Sequence, residues 1–254
     1  MAWPRPYVII NASRAYGKSL WEVLFGMSKQ MLSSKAWNCY IASGSSDQSA
    51  TTFKKIEDIA ANRITSLQGS TGEVFANEVV IHNATGNGFS HNPSGFTYSL
   101  YNYSFLSTLN SNTDRGRGKR ADCVLFDEVG FLPSEMLRVY AAFCAVSESF
   151  ITGFDENGNP IDIVRSLAMP KSLPHQLIHV SSASTVDSEY YRMFKDYSKQ
   201  MLCGNKDYFV ANIDCELVMK PTIHNIPTTP ALTRSQIESE MRTNPEKARR
   251  EYYC

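Results

Sequence analysis

No stretch of the 254 residues reaches the ~18 consecutive apolar residues that a membrane-crossing helix needs, so the sequence offers no transmembrane segment. Charge of one sign is missing too: 25 Lys and Arg offset 25 Asp and Glu, for a formal net charge of zero. That removes the global basic signature of a nucleic-acid binder and leaves only local surfaces for such a partner. The six cysteines (Cys39, Cys123, Cys144, Cys203, Cys215 and Cys254) contain no Cys-x-x-Cys spacing. They provide neither a zinc site nor a disulfide framework and fit a reduced, cytoplasmic setting. His82, His91, His175, His179 and His224 are scattered without metal-ligand spacing and read as structural or surface residues. Met1 to Pro6 has no charged segment leading into an apolar one, which argues against secretion. Internal repeats and low-complexity tracts are missing as well.

What is present is an ordinary globular composition, 43% apolar and 20% charged, in a chain long enough for one large α/β domain or two small ones. The most informative stretch is Tyr7 to Leu20. An apolar, β-branched run ends at Ala12, four residues (Ser13, Arg14, Ala15, Tyr16) follow, and then come Gly17, Lys18 and Ser19, where a helical pattern starts. Strand, loop and helix in this order form the context of a phosphate-binding P-loop, here in a relaxed version with Ala12 in place of the usual first glycine. Gly17 lets the backbone approach a phosphate, Lys18 reaches the β- and γ-phosphates, and the Ser19 hydroxyl can ligate Mg²⁺. The free N–H groups and positive dipole end of the following helix point at the same anion. Ala12 through Ser19 are therefore the expected nucleotide-binding residues, with ATP and Mg²⁺ as ligands.

Periodicity organises the rest. A helix is expected over Leu20–Leu32, a strand over Trp37–Ala42 and a helix over Thr52–Ile64. This β-α-β-α alternation predicts an α/β fold of the P-loop NTPase class (ASCE-type), a mainly parallel β-sheet flanked by helices. Glu78–His82 reads as a short strand, Phe96–Phe105 as a strand of alternating aromatic and polar residues, and Asp122–Phe126 as a buried strand. Tyr98, Tyr101 and Tyr103 read as sheet-packing aromatics. Pro133 opens a helix running to about Phe150, and a turn at Asp155–Pro160 joins a short hairpin. Strands follow at Gln176–Val180 and Tyr208–Ile213, around a helix over Ser188–Leu202. Thr233-x-x-Gln236 fits a capping box for a helix to about Met241, and Pro245 starts a last short helix.

Three further motifs carry chemistry. Cys123-Val124-Leu125-Phe126-Asp127-Glu128 is an apolar strand ending in two acids, the Walker B arrangement when it follows a P-loop. Asp127 would hold Mg²⁺, and Glu128 would orient and polarise the attacking water, the role a hydrolysing enzyme needs. Ile178 to Thr185 is a strand ending in small hydroxyl residues; on its own it reads first as a turn with Ser184 or Asp187 capping the next helix, and beside a P-loop it also fits a γ-phosphate sensor. Arg115, Arg117, Lys119 and Arg120 form a basic cluster with three readings: a solvated loop, a DNA-phosphate contact, or an arginine finger entering a neighbouring subunit's site.

Taken together, these pieces resemble the ATPase domain of the large terminase subunit, the DNA-packaging motor of tailed bacteriophages, over nearly the whole chain. Ser13-Arg14-Ala15-Tyr16-Gly17-Lys18-Ser19 resembles that family's Walker A variant, with Ser-Arg ahead of Gly-Lys-Ser. Arg117-Gly118 and Arg120 to Glu128 resemble the segment leading into its Walker B. Ser181-Ser182-Ala183 falls where the family has its coupling motif, without the proline usual there, and Leu232 to Tyr252 resembles the linker into the nuclease domain. The resemblance implies an ATPase that drives double-stranded DNA into a procapsid. Glu128 would be the catalytic base, Arg117 a trans-acting finger, Arg14 a cis contact to the γ-phosphate, and Ser181 and Ser182 the coupling residues. It also implies a homo-oligomeric ring, pentameric when assembled, with portal, procapsid and small terminase subunit as partners, no membrane, and the cytoplasm of the infected host as location. The expected division is an ATPase domain over 1–220 and a connector with helical linker over 221–254, leading to a nuclease that this chain does not contain, so no nuclease activity is expected. The rival readings are another P-loop DNA translocase or helicase, and a nucleotide-dependent assembly module with little turnover.

Overall fold

The computed structural model describes residues 2–33, 36–64, 70–81, 86–92, 95–109, 118–145, 151–154, 157, 160–162, 174–220, 222–223, 226–227 and 230–254. Eight strands form one sheet: β1 (Tyr7–Ala12), β2 (Cys39–Ala42), β3 (Ser90–Asn92), β4 (Gly95–Ser99), β5 (Phe105–Leu109), β6 (Cys123–Asp127), β9 (Gln176–Ser181) and β10 (Tyr208–Ile213). Their order across the sheet is β10-β1-β9-β6-β2-β5-β4-β3. From β10 to β5 every pairing is parallel, and only the β5–β4 and β4–β3 pairings at one edge are antiparallel. The short strands β7 (Ile151–Phe154) and β8 (Pro160–Asp162) pair separately as the expected hairpin, and β11 (Thr222–Ile223) and β12 (Ile226–Pro227) form a second antiparallel pair within the segment expected as an extended connector. This is the α/β, mainly parallel architecture that the sequence predicts, with β9 inserted between the P-loop strand β1 and the acidic strand β6.

The central strands are apolar throughout because both faces are covered. Val8, Ile10 and Ala12 of β1 share one buried cluster with α1 (Lys18–Leu32), α2 (Ser46–Ala60) and α3 (Ser70–Glu78), through Val23, Phe53, Ile56 and Phe75. Ile9, Val124 and Phe126 point the other way, against α4 (Ser134–Ala141) and α5 (Glu189–Leu202), where Leu137, Tyr140, Tyr190 and Tyr197 close the second core. Fully burying one such side chain contributes about 1.5–3 kcal/mol, so the two layers hold the parallel strands rigidly. A third, smaller cluster joins α6 (Cys215–Val218), α7 (Arg234–Thr243) and α8 (Pro245–Tyr252) through Cys215, Leu232, Ile237, Ala248 and Tyr252. The expected capping box at Thr233 and Gln236 is present, and Asn244 caps α8 ahead of Pro245.

Several expected elements differ. Of the strand expected over Glu78–His82, the described part, through Ile81, is not a strand: α3 runs through Glu78, Phe75 and Val79 are buried at helical spacing, and Val79 makes only an isolated bridge to Leu100. The single strand expected over Phe96–Phe105 is a hairpin. Its chain reverses where Asn102 Oδ1 accepts from the Ser104 N–H at 3.0 Å and Tyr103 takes a left-handed φ of 67°. Tyr101 and Tyr103 therefore stand exposed at the turn, and only Tyr98 packs in the sheet. α2 starts at Ser46 because Ser45 accepts from the Gln48 N–H, and it ends before Asn62, which has a φ of 53°. α4 gives way to a 3-10 turn over Ala142–Cys144. Ser188, rather than Ser184 or Asp187, caps α5 by accepting from the Tyr191 N–H. His82, His224, Arg115 and Arg117 lie outside the described residues.

Candidate nucleotide site

Parallel strands put all their carboxyl ends on one edge, and ligands of such sheets bind there. Here that edge carries Ala12 at the end of β1, Asp127 closing β6 with Glu128 next, and Ser181 closing β9 with Ser182 next. The register aligns Asn11 with Ser181, and Asp127 with Val180, so the three loops meet in one row.

The loop between β1 and α1 is held from below and behind. The buried Ser13 donates its N–H to the Ile213 carbonyl at 2.8 Å. Ala15 (φ 64°) and Gly17 (φ 87°) both adopt left-handed backbone, which turns the chain into α1; at Gly17 a side chain would be strained there. Lys18 folds back over the loop. Its Nζ donates to the Ala12 carbonyl at 3.1 Å and lies 3.6 Å from Glu128 Oε1. Tyr16 packs on the core and does not face the cavity. The open space above the loop has a volume of about 320 Å³ and is lined by Arg14, Gly17, Lys18, Ser19, Lys55 and Glu128 among others.

A second cavity of about 260 Å³ adjoins it, bounded by Ser19, Thr52, Lys55, Asp127, Glu128 and the start of α2. Asp127 is buried; its Oδ2 accepts from Thr52 Oγ1 at 2.7 Å, while Oδ1 has no partner among the described residues. Burial pushes its carboxyl up, and the Thr52 hydrogen bond pulls it back. A buried, half-satisfied carboxylate beside a P-loop serine fits a divalent cation. No group of three His, Cys, Asp or Glu that could hold a metal occurs among the described residues, so an ion here would rest on Ser19, Asp127 and substrate oxygens.

Glu128 sits in left-handed backbone (φ 53°) at the end of β6, which swings its side chain toward the loops. Besides Lys18, its Oε2 lies 3.5 Å from both the Ser181 hydroxyl and the Ser182 N–H. Ser181 Oγ also accepts from the Gly130 N–H at 3.0 Å, and a Cβ on Gly130 would crowd that oxygen at 3.0 Å. Ser184 Oγ donates to the Gly130 carbonyl. The hydroxyl loop is thus wired to the acidic loop. Sequence reasoning missed three contributors: Thr52 and Lys55, which sit on a helix read only for its apolar face, and Glu251. The Glu251 carbonyl accepts from the Arg14 N–H at 2.6 Å, and the residue lines the cavity above the loop. Arg250, next to it, lies 5.5 Å over the Phe131 ring, so α8 touches both the P-loop and the turn after β6. None of the three has a local sequence signal, because each reaches the site through tertiary packing.

No family model and no curated relative matches the sequence. Solved structures do match. The large terminase of bacteriophage HK97 superposes with a TM-score of 0.60 at 13% identity, over 98% of this chain and 46% of that one. The fold is that of a large terminase ATPase domain. The Thermus phage P74-26 large terminase ATPase domain gives a TM-score of 0.57 at 12% identity, over 97% of this chain and 86% of that one. The large terminase of another thermophilic bacteriophage, in complex with ADP, gives 0.52 at 14% identity, over 98% and 48%. The chain spans about half the length of the ADP-bound and HK97 terminases and most of the P74-26 ATPase domain. No helix among the described residues is long and apolar enough to cross a membrane.

Proposed function

We propose that this chain is an ATP-hydrolysing motor domain that packages double-stranded viral DNA into a procapsid in the cytoplasm of an infected bacterium. The observation that carries the reading is Glu128, whose carboxylate faces both the P-loop lysine at 3.6 Å and the hydroxyl loop at 3.5 Å. A carboxylate placed there can accept a proton from the attacking water, and Ser181 and Ser182 can pass the state of the site to the rest of the motor. The P-loop backbone and Lys18 would hold the phosphates, and Arg14, which lines the same cavity, would contact the γ-phosphate. Mg²⁺, held by Ser19 and Asp127, would neutralise charge on the β- and γ-phosphates. The ADP complex of the thermophilic bacteriophage terminase supports nucleotide as the ligand.

The proposed partners are double-stranded DNA, the portal and procapsid, the small terminase subunit and further copies of this chain in a pentameric ring, with Arg117 acting in trans. A second reading, a nucleotide-dependent assembly module, has one observation in its favour. Lys18 is paired with Glu128 and the Arg14 N–H is closed by the Glu251 carbonyl, which describes a resting site. ATPase rate measured against protein concentration, with and without DNA, tests both. A steep rise on assembly supports the motor, and a negligible rate at every concentration overturns it.

A further inference from the structure

Among the described residues, three line both the phosphate cavity and the carboxylate cavity: Ser19, Glu128 and Lys55. If the first cavity takes the phosphate chain and the second the metal and water, the reacting phosphorus sits at their seam. Ser19 and Glu128 already have roles there. Lys55 is the remaining residue and the only cation of the three.

Its position is built in. Lys55 lies three residues after Thr52 on the same face of α2, and that face is fixed by the Thr52 hydroxyl's 2.7 Å bond to Asp127. The Lys55 side chain is half-buried, and no carboxylate of the described residues lies within ion-pair distance of it. Lys18, by contrast, is engaged with the Ala12 carbonyl and Glu128. The site therefore holds one lysine engaged by Glu128 and a second, Lys55, that forms no ion pair among the described residues, although its charge is felt by the carboxyl of Asp127.

We propose that Lys55 is a catalytic cation acting in cis on the transferred phosphoryl group, an inference that rests on the ATPase reading above. In the reaction the water oxygen bonds to the γ-phosphorus and its proton passes to Glu128. The bond from that phosphorus to the bridging oxygen breaks, and ADP leaves with the electron pair. The Lys55 ammonium stabilises the charge on the equatorial oxygens, which matters most in the transition state.

The test compares wild type, Lys18→Ala, Lys55→Ala, Lys55→Arg and Lys55→Met for steady-state kinetics and for calorimetric binding of MgADP and of MgADP with aluminium fluoride. Lys55→Ala should keep MgADP affinity within about threefold. It should lose about 10²-fold in kcat and in the extra affinity that aluminium fluoride confers, with partial recovery in Lys55→Arg. Lys55→Met keeps the aliphatic stem and carries the comparison if the alanine variant melts early. Equal losses for both ligands, or no loss for either, overturn the assignment while nucleotide binding by wild type and its loss in Lys18→Ala keep the ATPase reading. A wild type that binds no nucleotide overturns both.

Discussion

Lys18 Nζ stands 3.6 Å from Glu128 Oε1, so the lysine that would hold the phosphates is paired with the carboxylate that would activate water. Incoming phosphates would compete for that ammonium, and their binding would release Glu128 toward the water. Glu128→Gln should therefore bind ATP at least as well as wild type, because Lys18 no longer has an anionic rival. Hydrolysis should fall by about 10²- to 10⁴-fold, the span general-base catalysis covers. Fluorescent-nucleotide binding beside phosphate release checks both halves, and wild-type turnover in this variant would remove Glu128 from the mechanism.

The Thr52 hydroxyl is the partner that orients Asp127 Oδ2. Thr52→Val keeps the shape and removes the donor. Groups that orient a metal ligand are commonly worth about 10- to 100-fold in metal affinity, so the Mg²⁺ concentration for half-maximal hydrolysis should rise by about that factor. An unchanged Mg²⁺ dependence would show that Asp127 needs no such support.

Glu22 is fully buried on α1, and neither carboxylate oxygen has a partner among the described residues. Burial, and then the neighbouring Asp127, hold its pKa well above 4.5. The folded state thus keeps a proton that the unfolded chain releases as pH rises through its ordinary carboxyl range. This group's contribution is fully present below the unfolded value and declines as pH rises toward the folded one. Glu22→Leu should raise the melting temperature at pH 8 by about 2–4 °C for each kcal/mol of relieved desolvation, with the gain shrinking toward pH 5. A pH-independent gain, or none, would mean that the carboxyl finds a partner in solution.

How far the sequence could be read follows from where each signal resides. Ala12 to Ser19 and Cys123 to Glu128 were legible because strand, loop and helix chemistry is local there: a β-branched run, a left-handed Gly17, a strand closing on two acids. The helix over Ser70–Glu78 was hidden because Val79, Val80 and Ile81 form an apolar run that reads as strand, although only Val79 of the valine pair is fully buried and Ile81 is exposed. The Phe96–Phe105 hairpin was hidden because its turn rests on the Asn102 side chain rather than on Gly or Pro. Lys55, Thr52 and Glu251 were illegible for a different reason. Each is brought to the site by the packing of a helix whose local pattern reports only its apolar face.

His179 shows the opposite pH behaviour to Glu22. The ring stacks on Phe126 with centroids 4.9 Å apart and planes 1° from parallel, and Nδ1 pairs with the Val8 carbonyl at 3.2 Å. Burial lowers its pKa from 6.5 to about 4, against the pull of that carbonyl. Between those values the unfolded chain takes up a proton that the folded protein refuses, so stability falls as pH drops from about 6.5 to about 4, and this group adds nothing further below. The loss amounts to about 3 kcal/mol across the window. His179→Gln should flatten this slope in urea titrations at pH 7, 6, 5 and 4. An unaltered slope would place the acid sensitivity elsewhere.

Gly118 to Ala121 lead into the amino end of β6, whereas the nucleotide site lies at its carboxyl end. Five residues of strand separate the two edges, roughly 16 Å at the usual rise. Exposed Arg120 is thus remote from its own P-loop, and Lys119 is laid over the Tyr40 ring at 5.2 Å, on the sheet face away from α1. An arginine of this segment that serves hydrolysis does so most directly in a neighbouring copy. Arg117→Ala and Lys18→Ala should each be inactive alone, one lacking the finger and the other the phosphate lysine. Mixed, they should regain part of the wild-type rate, since an intact P-loop in one copy can meet an intact Arg117 from the next. Activity should reappear only at concentrations that also support wild-type turnover, and the same mixture made with Arg115→Ala or Arg120→Ala identifies which arginine enters. Failure to complement where wild type is active would assign Arg117 to another task.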